Sequence, residues 1–252
     1  MRYQFGNFTL FITEDYEHLS EKSASLIAEQ INEKPTSVMG FATGGTPVGT
    51  YKELIKLNKA GGVDFSKITA FNLDEYYPIK KTNDQSYDYF MKDNLFNHVN
   101  ISKDKLRIPN GEAGDINAEC LSYEKQIKEA GGIDFQLLGI GLNGHIGFNE
   151  PDESFAAQTH HVTLDRSTIE ANSRFFSSVD DVPKQALTMG IKTIMMAKKI
   201  LLVINSEKKA AIVKETLFGR ITPAVPASAL QMHQNVLVVL DKPAASKIIN
   251  LL

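Results

Sequence analysis

Short runs of β-branched and aliphatic residues alternate along this chain with segments of helical period, and most runs stop at a cluster of glycine or polar residues. That alternation constrains the fold more than any other feature. Strands separated by helices pair in parallel, and a parallel sheet is covered on both faces. Leu26, Ile27 and Ile31 mark a first helix. Residues 37–42 read as a buried strand that stops at Thr43-Gly44-Gly45-Thr46-Pro47, with Tyr51, Leu54 and Ile55 marking a helix beyond. Residues 68–73 form a second strand ending at Asp74-Glu75, and Tyr87, Phe90, Met91 and Leu95 give the next helix its apolar stripe. A helix holding Cys120, Tyr123 and Ile127 stops at Gly131-Gly132 and feeds a strand over 135–140. Residues 200–204 and 236–240 read as further strands, with a helix over about 207–217 between them and a short helix after. The expected fold class is α/β, a mostly parallel sheet with helices on both faces. No linker or low-complexity segment divides it, so one domain over 1–252 is expected.

Charge and cysteine content exclude several function classes. The 27 Lys+Arg against 30 Asp+Glu leave a net charge of -3, with no broad positive field for a nucleic-acid backbone or an anionic membrane. The lone Cys120 cannot close an intrachain disulfide, and residues 1–6 lack the apolar run of a secretory signal, so a cytoplasmic setting is expected. The most apolar stretch, 191–204, is interrupted by Lys192, Lys198 and Lys199 and falls short of the ~20 residues a bilayer demands. The expected partner is a small molecule, with neither nucleic acid nor membrane.

In open parallel sheets ligands bind beyond the carboxyl ends of the strands, so the residues after each run carry the candidate chemistry. Thr43-Gly44-Gly45-Thr46 offers backbone N–H groups, hydroxyls and the positive end of a helix, a combination that suits a phosphate. Asn72-Leu73-Asp74-Glu75-Tyr76 places adjacent carboxylates at a strand end, where a helix cap or turn is the plainer reading. In the segment from Gly139 to Pro151, four glycines expose His145 at a strand tip, with Glu150 near enough in sequence to orient it. Lys209 follows an expected strand and opens a helix, a suitable place for a phosphate partner, with Lys208 read as a solvated neighbour; Arg174 is another cation. His160-His161 lacks the spaced ligands a metal site needs, so no metal is expected. The echo between Ala60-Gly61-Gly62-Val63-Asp64-Phe65 and Ala130-Gly131-Gly132-Ile133-Asp134-Phe135 reads as two glycine helix stops leading into strands.

Five segments carry a family resemblance: 42–47, 72–76, 141–151, 171–176 (Ala-Asn-Ser-Arg-Phe-Phe) and 186–190 (Ala-Leu-Thr-Met-Gly). In that order they resemble the glucosamine-6-phosphate deaminase family, which is related to the 6-phosphogluconolactonases, over about residues 40–235. The resemblance implies a single αβα sandwich of Rossmann-like type. It implies conversion of glucosamine 6-phosphate and water into fructose 6-phosphate and ammonia, in amino sugar catabolism and without a cofactor. It assigns Asp74 as the base that moves the C2 proton toward C1, and His145 to ring opening with Glu150 and Asn143 in support. Thr43, Gly44, Gly45, Thr46, Arg174 and a helix-opening lysine, Lys209 when counted without gaps and Lys208 otherwise, hold the phosphate.

Departures from the family pattern carry expectations too. Where some members have Asp, this chain has Asn143, which adds no second negative charge beside His145. Hexameric members are activated by N-acetylglucosamine 6-phosphate through an Arg and a Lys; His160 and Val162 stand at the aligned positions, so no activation through that site is expected, and monomer or oligomer stays open. The alternatives are a galactosamine 6-phosphate deaminase, a lactonase in which the histidine activates water, and a non-enzymatic sugar-phosphate sensor. Asp74 speaks for the deaminases over the lactonase. The roughly 35 residues before the first core strand are too few for a sensor's helix-turn-helix together with the strand and helix the fold uses there.

Overall fold

The computed structural model describes residues 1–173, 176 and 178–252. In chain order the elements are β1 (Arg2–Phe5), β2 (Phe8–Thr13), α1 (Tyr16–Glu33), β3 (Val38–Phe41), α2 (Val48–Lys59), β4 (Thr69–Asn72), β5 (Asp74–Tyr77), α3 (Tyr87–Asn94), β6 (Leu106–Arg107) and α4 (Ile116–Glu129). They continue with β7 (Phe135–Leu138), β8 (His160–Thr163), α5 (Arg166–Asn172), β9 (Gln185–Thr188), α6 (Ile191–Met195), β10 (Lys199–Ile204), α7 (Ala210–Phe218), β11 (Val236–Asp241) and α8 (Lys242–Ala245).

Eight strands form the main sheet in the order β1-β2-β11-β10-β7-β3-β4-β6. Only the β1–β2 hairpin is antiparallel. The central strands are buried on both faces, as the Val-Met-Gly-Phe of β3 and the Phe-Gln-Leu-Leu of β7 require. Helix α1 covers one side with Leu19, Ala24, Ile27 and Ile31, all 1% exposed or less. Each such Leu or Ile contributes roughly 1.5–3 kcal/mol on leaving water. Asp15 starts this helix by accepting the His18 N–H at 2.9 Å.

The strand order places the binding crevice. From β3 the chain winds outward to β4 and β6, and from β7 it winds the other way to β10 and β11. The loops after β3 and β7 therefore leave the sheet on opposite sides, and a crevice opens between them. At the other end of the same strands, the Asp134 carboxylate takes Lys34 Nζ at 2.6 Å, Lys198 Nζ at 2.8 Å and the Val38 N–H at 2.9 Å. Burial works to raise the pKa of Asp134, yet the two lysines outweigh it and hold the carboxyl below its usual range.

Two features depart from the sequence reading. The chain has an earlier core strand than residues 37–42: β2 buries Phe8, Leu10 and Ile12 and pairs in parallel with β11. Asp74-Glu75 is not a turn: it opens β5, which joins β9 and β8 in a second, antiparallel sheet, while Glu75 accepts the first two amides of α3 from twelve residues away. The echo behaves as read. Gly61 (φ +75°) and Gly131 (φ +90°) both end helices, and Gly62 and Gly132 donate back to Leu57 and Ile127 at 2.8 and 2.9 Å.

Candidate active site

The crevice is a cleft of about 1230 Å³, walled by the loops after β3, β7 and β10 and floored by Leu73 and Asp74. Thr43, Gly44, Gly45 and Thr46 form its first wall. Gly44 takes φ +108°, which a residue with a Cβ rarely adopts, and the amides of Gly44 and Gly45 donate to no acceptor among the described residues. Helix α2 begins directly after, with no cap from the Pro47 side chain, so its positive end adjoins the turn. Thr46 Oγ1 donates to Asn205 Oδ1 at 2.7 Å, and Lys209 Nζ donates to Thr46 Oγ1 at 3.5 Å. The glycine turn and the β10 end are thus joined into one wall across 163 residues. Lys208 also lines the cleft but is exposed, whereas Lys209 is half-buried and directed at the turn. Arg174 lies outside the described residues.

Asp74 sits on the floor at 5% exposure, and its Oδ1 is buried without a hydrogen-bond partner among the described residues. Burial lifts its pKa well above the ordinary carboxylate value, and the neighbouring charge of Glu75 lifts it further. Nearby phenols do not relieve it. Tyr51 donates to Ala42 O, and Tyr123 donates to Asn72 O at 2.7 Å. Glu75 points elsewhere and accepts the N–H groups of Tyr76, Tyr87 and Asp88 at 2.8–2.9 Å, tying down the start of α3. Burial still pushes Glu75 up to about 7 against those three donors. Tyr87, which this tie fixes, lines the cleft.

His145 also lines the cleft. Its ring lies against the backbone of Gly141, where an added Cβ would be 2.3–2.5 Å from three ring atoms. Gly141 N–H donates to His145 O at 2.9 Å and closes a tight turn. His145 Nδ1 is 3.3 Å from Glu150 Oε2, close enough for an ion pair though not aligned as a hydrogen bond. Asn143 Nδ2 donates to the same oxygen at 2.7 Å, its Oδ1 accepts the His145 N–H at 3.2 Å, and Thr168 Oγ1 donates to Glu150 Oε1. Burial alone would raise the pKa of Glu150, but His145, Thr168 and Asn143 together hold it below its usual range. An ionised Glu150 behind the ring favours the tautomer with the proton on Nδ1 and the Nε2 lone pair free for chemistry.

The structure therefore brings Asp74, His145, Thr43 to Thr46 and Lys209 to one cleft, with Asn143 beside them and Glu150 behind the histidine. Sequence reasoning missed Tyr16, Tyr87, Thr168, Asn205 and Ser206, which also line it. Tyr87 had been visible only as part of a helix stripe. The stretch 155–163 is tied to its neighbours. Ile191 N–H donates to Ala156 O at 2.8 Å, Glu124 Oε1 holds Thr159 and Thr193, and β8 pairs with β9. Among the described residues no group of three or more His, Cys, Asp or Glu is arranged to hold a metal. Among them, too, no helix is long and apolar enough to cross a membrane.

Ser206 is held at φ +85° and ψ 137°, where its Cβ is strained, and the Asp241 carboxylate fixes it by accepting its N–H at 3.1–3.2 Å. A residue held in such a region costs of order 1–3 kcal/mol. Ser206→Gly is expected to relieve most of this, offset in part by the entropy of the unfolded chain, and to raise the melting temperature by about 2–4 °C for a net gain near 1 kcal/mol. Calorimetric melting of the two proteins checks it, and an unchanged or lowered midpoint counts against strain at this position.

Fold and cleft together define an α/β enzyme whose cleft is lined by a glycine turn, a carboxylate-backed imidazole and a buried carboxyl. Residues 13–239 match the family described as glucosamine-6-phosphate isomerases/6-phosphogluconolactonase, and the chain belongs to that family. It is 56% identical over 239 residues to the glucosamine-6-phosphate deaminase of Clostridioides difficile strain 630, covering 95% of this chain and 96% of that one. It is 53% identical to the enzyme of the same name from Clostridium botulinum strain Hall, covering 95% and 98%. Among solved structures, one described as a monomeric glucosamine-6-phosphate deaminase superposes with a TM-score of 0.92 at 48% identity, covering 94% of this chain and 99% of that one. The 6-phosphogluconolactonase of Thermotoga maritima, at 19% identity and a TM-score of 0.75 over 93% and 100% of the two chains, shares the fold.

Proposed function

We propose that the protein converts glucosamine 6-phosphate and water into fructose 6-phosphate and ammonia. The observation that carries this reading is the convergence of Asp74 and the His145–Glu150 pair on the cleft that the glycine turn also lines. The phosphate is held by the amides and hydroxyls of the turn and by Lys209, with Arg174 a further partner; the anchored end then fixes C1 and C2 against the two proton-transfer groups.

The chemistry follows from these positions. His145 takes the proton of the C1 hydroxyl and returns one to the ring oxygen as the C1–O5 bond breaks, giving the open aldehyde. Asp74 then removes the C2 proton, which the carbonyl acidifies, and an enolamine forms. Protonation at C1 yields the C2 imine of the ketose. Water adds at C2, the C–N bond breaks, and ammonia leaves. Every electron pair stays within the sugar and water, so the sequence is an internal redox isomerisation followed by hydrolysis.

A lactonase would need the histidine but no base at C2. The floor position of Asp74, buried and facing the cleft, favours the deaminase. Ammonia release from glucosamine 6-phosphate, measured beside release from its C4 epimer galactosamine 6-phosphate and acid release from 6-phosphogluconolactone, tests the reading. Acid release alone overturns it, and faster ammonia release from the epimer redirects it.

Asn143 offers a second test, because its amide links Glu150 to the backbone N–H of His145. Asn143→Asp would replace the 2.7 Å donor to Glu150 by a second carboxylate. The added negative charge favours the imidazolium form of His145, so the acidic limb of the pH–rate profile is expected to move upward. Loss of a hydrogen bond to a charged group is expected to cost about 1.5–3 kcal/mol of stability as well. A pH–rate profile that does not move contradicts the coupling.

A further inference from the structure

The glycine turn contains as many carbonyl oxygens as amides, and a carbonyl directed at a phosphate repels it. Something must separate the two sets. The Tyr16 hydroxyl is placed to do so: it donates toward Gly45 O at 3.1 Å and Thr46 O at 3.0 Å, and accepts the Gly49 N–H at 2.8 Å. Gly49 lies in the first turn of α2, where amides have no partner within the helix. One phenol therefore gathers two carbonyls and a spare amide on the α1 side.

The placement is built. Tyr16 is the first residue of α1, and Ser20 Oγ anchors its carbonyl at 2.7 Å. Position 49 leaves no room for a side chain, since an added Cβ would lie 2.1 Å from Ser20 Oγ and 3.0 Å from Tyr16 Cε1. The glycine is what lets the start of α2 approach the phenol. The Gly44 and Gly45 amides, by contrast, keep no acceptor among the described residues.

We infer that Tyr16 is a positioning residue for the anion-binding turn: its hydroxyl occupies the Gly45 and Thr46 carbonyls and leaves the Gly44 and Gly45 amides as donors to the substrate's phosphate. The inference rests on the proposed deaminase reading for the identity of the sugar, but the anion it concerns is phosphate itself. Tyr16 touches no reacting atom, so its loss weakens binding and spares the chemical steps.

Tyr16→Phe keeps the ring and removes the hydroxyl. Calorimetric titration with inorganic phosphate and with glucosamine 6-phosphate is expected to show both dissociation constants raised by about the same factor, near tenfold, on loss of the hydroxyl's bonds. The kcat at saturation stays within about twofold of the parent while KM rises with the dissociation constant. Gly49→Ala, which pushes the phenol from the other side, is expected to shift phosphate binding in the same direction. A Tyr16→Phe protein that only melts earlier, with phosphate affinity unchanged, overturns the inference, as does a fall in kcat with KM unchanged. Absence of phosphate binding by the parent protein overturns it too. A parent that binds phosphate and releases no ammonia defeats the deaminase reading alone, and the phosphate titrations still decide the role of Tyr16.

Discussion

Asp74→Asn is expected to lower ammonia release from glucosamine 6-phosphate by about 10²–10⁴-fold, the range that a positioned general base contributes. The amide is isosteric, and Asp74 Oδ1 has no partner to lose among the described residues, so the substitution leaves the cleft intact. Sugar-phosphate affinity is expected to stay near that of the parent, because the anion-binding wall is formed by other elements. Stability is expected to move the opposite way from activity. Burial first, and then the charge of Glu75, raise the pKa of Asp74 well above its ordinary value of 3.8. The native state then binds more protons than the unfolded one, so this group's contribution falls as pH rises above the ordinary carboxylate value. Removing the charge removes that decline, and the melting temperature of Asp74→Asn should drop less than that of the parent between pH 5 and 8. A variant that keeps ammonia release within about tenfold of the parent shows that another group takes the C2 proton.

The stability cost and the activity have one cause. A carboxylate that water or the surrounding phenols solvated would be comfortable and weakly basic; one whose neighbours Tyr51 and Tyr123 have committed their hydroxyls to backbone carbonyls is neither. Natural proteins tolerate such local losses where function uses them. The same holds on a smaller scale at Ser206, where the backbone is strained within the cleft wall.

What the sequence made legible divides along physical lines. The parallel core was readable because strands such as residues 200–204 are continuous apolar runs between helices of clear period. The second sheet was not. Its strands are four residues each, Asp-Glu-Tyr-Tyr, His-His-Val-Thr and Gln-Ala-Leu-Thr, and Asp74 pairs with Thr188 across more than a hundred positions. No local pattern announces such pairing. The glycine turn, His145 and Glu150 stood out because glycines cluster around them, and roles for them came from family resemblance. Tyr16 and Thr168 were hidden because each acts with a hydroxyl reaching from another element, and a hydroxyl on a helix is ordinarily only a solvated surface group. The left-handed Ser206 was hidden for the opposite reason, since serine is not the residue that such a backbone calls for.

Gly141→Ala is expected to cost nearly as much activity as removing the imidazole, about 10²–10³-fold, without any catalytic group being changed. The new methyl would lie 2.3 Å from His145 Cε1, 2.4 Å from Nε2 and 2.5 Å from Nδ1, far inside van der Waals contact. A side chain can swing aside from such a clash, so the fold survives; the ring then leaves Glu150 Oε2, now at 3.3 Å, and loses its aim at the sugar's C1 hydroxyl. A shift of about 1 Å in a reacting group is enough for a loss near 10²-fold. Gly114→Ala is the control, because it lies outside the cleft lining, nothing lies within 4 Å of the Cβ it would introduce and its backbone is not left-handed. Since both changes act on one imidazole, they must not add: Gly141→Ala combined with His145→Gln is expected to be no slower than His145→Gln alone. Two independent losses that multiply would mean that Gly141 serves the turn for another purpose, and that the space it leaves is not what places the histidine.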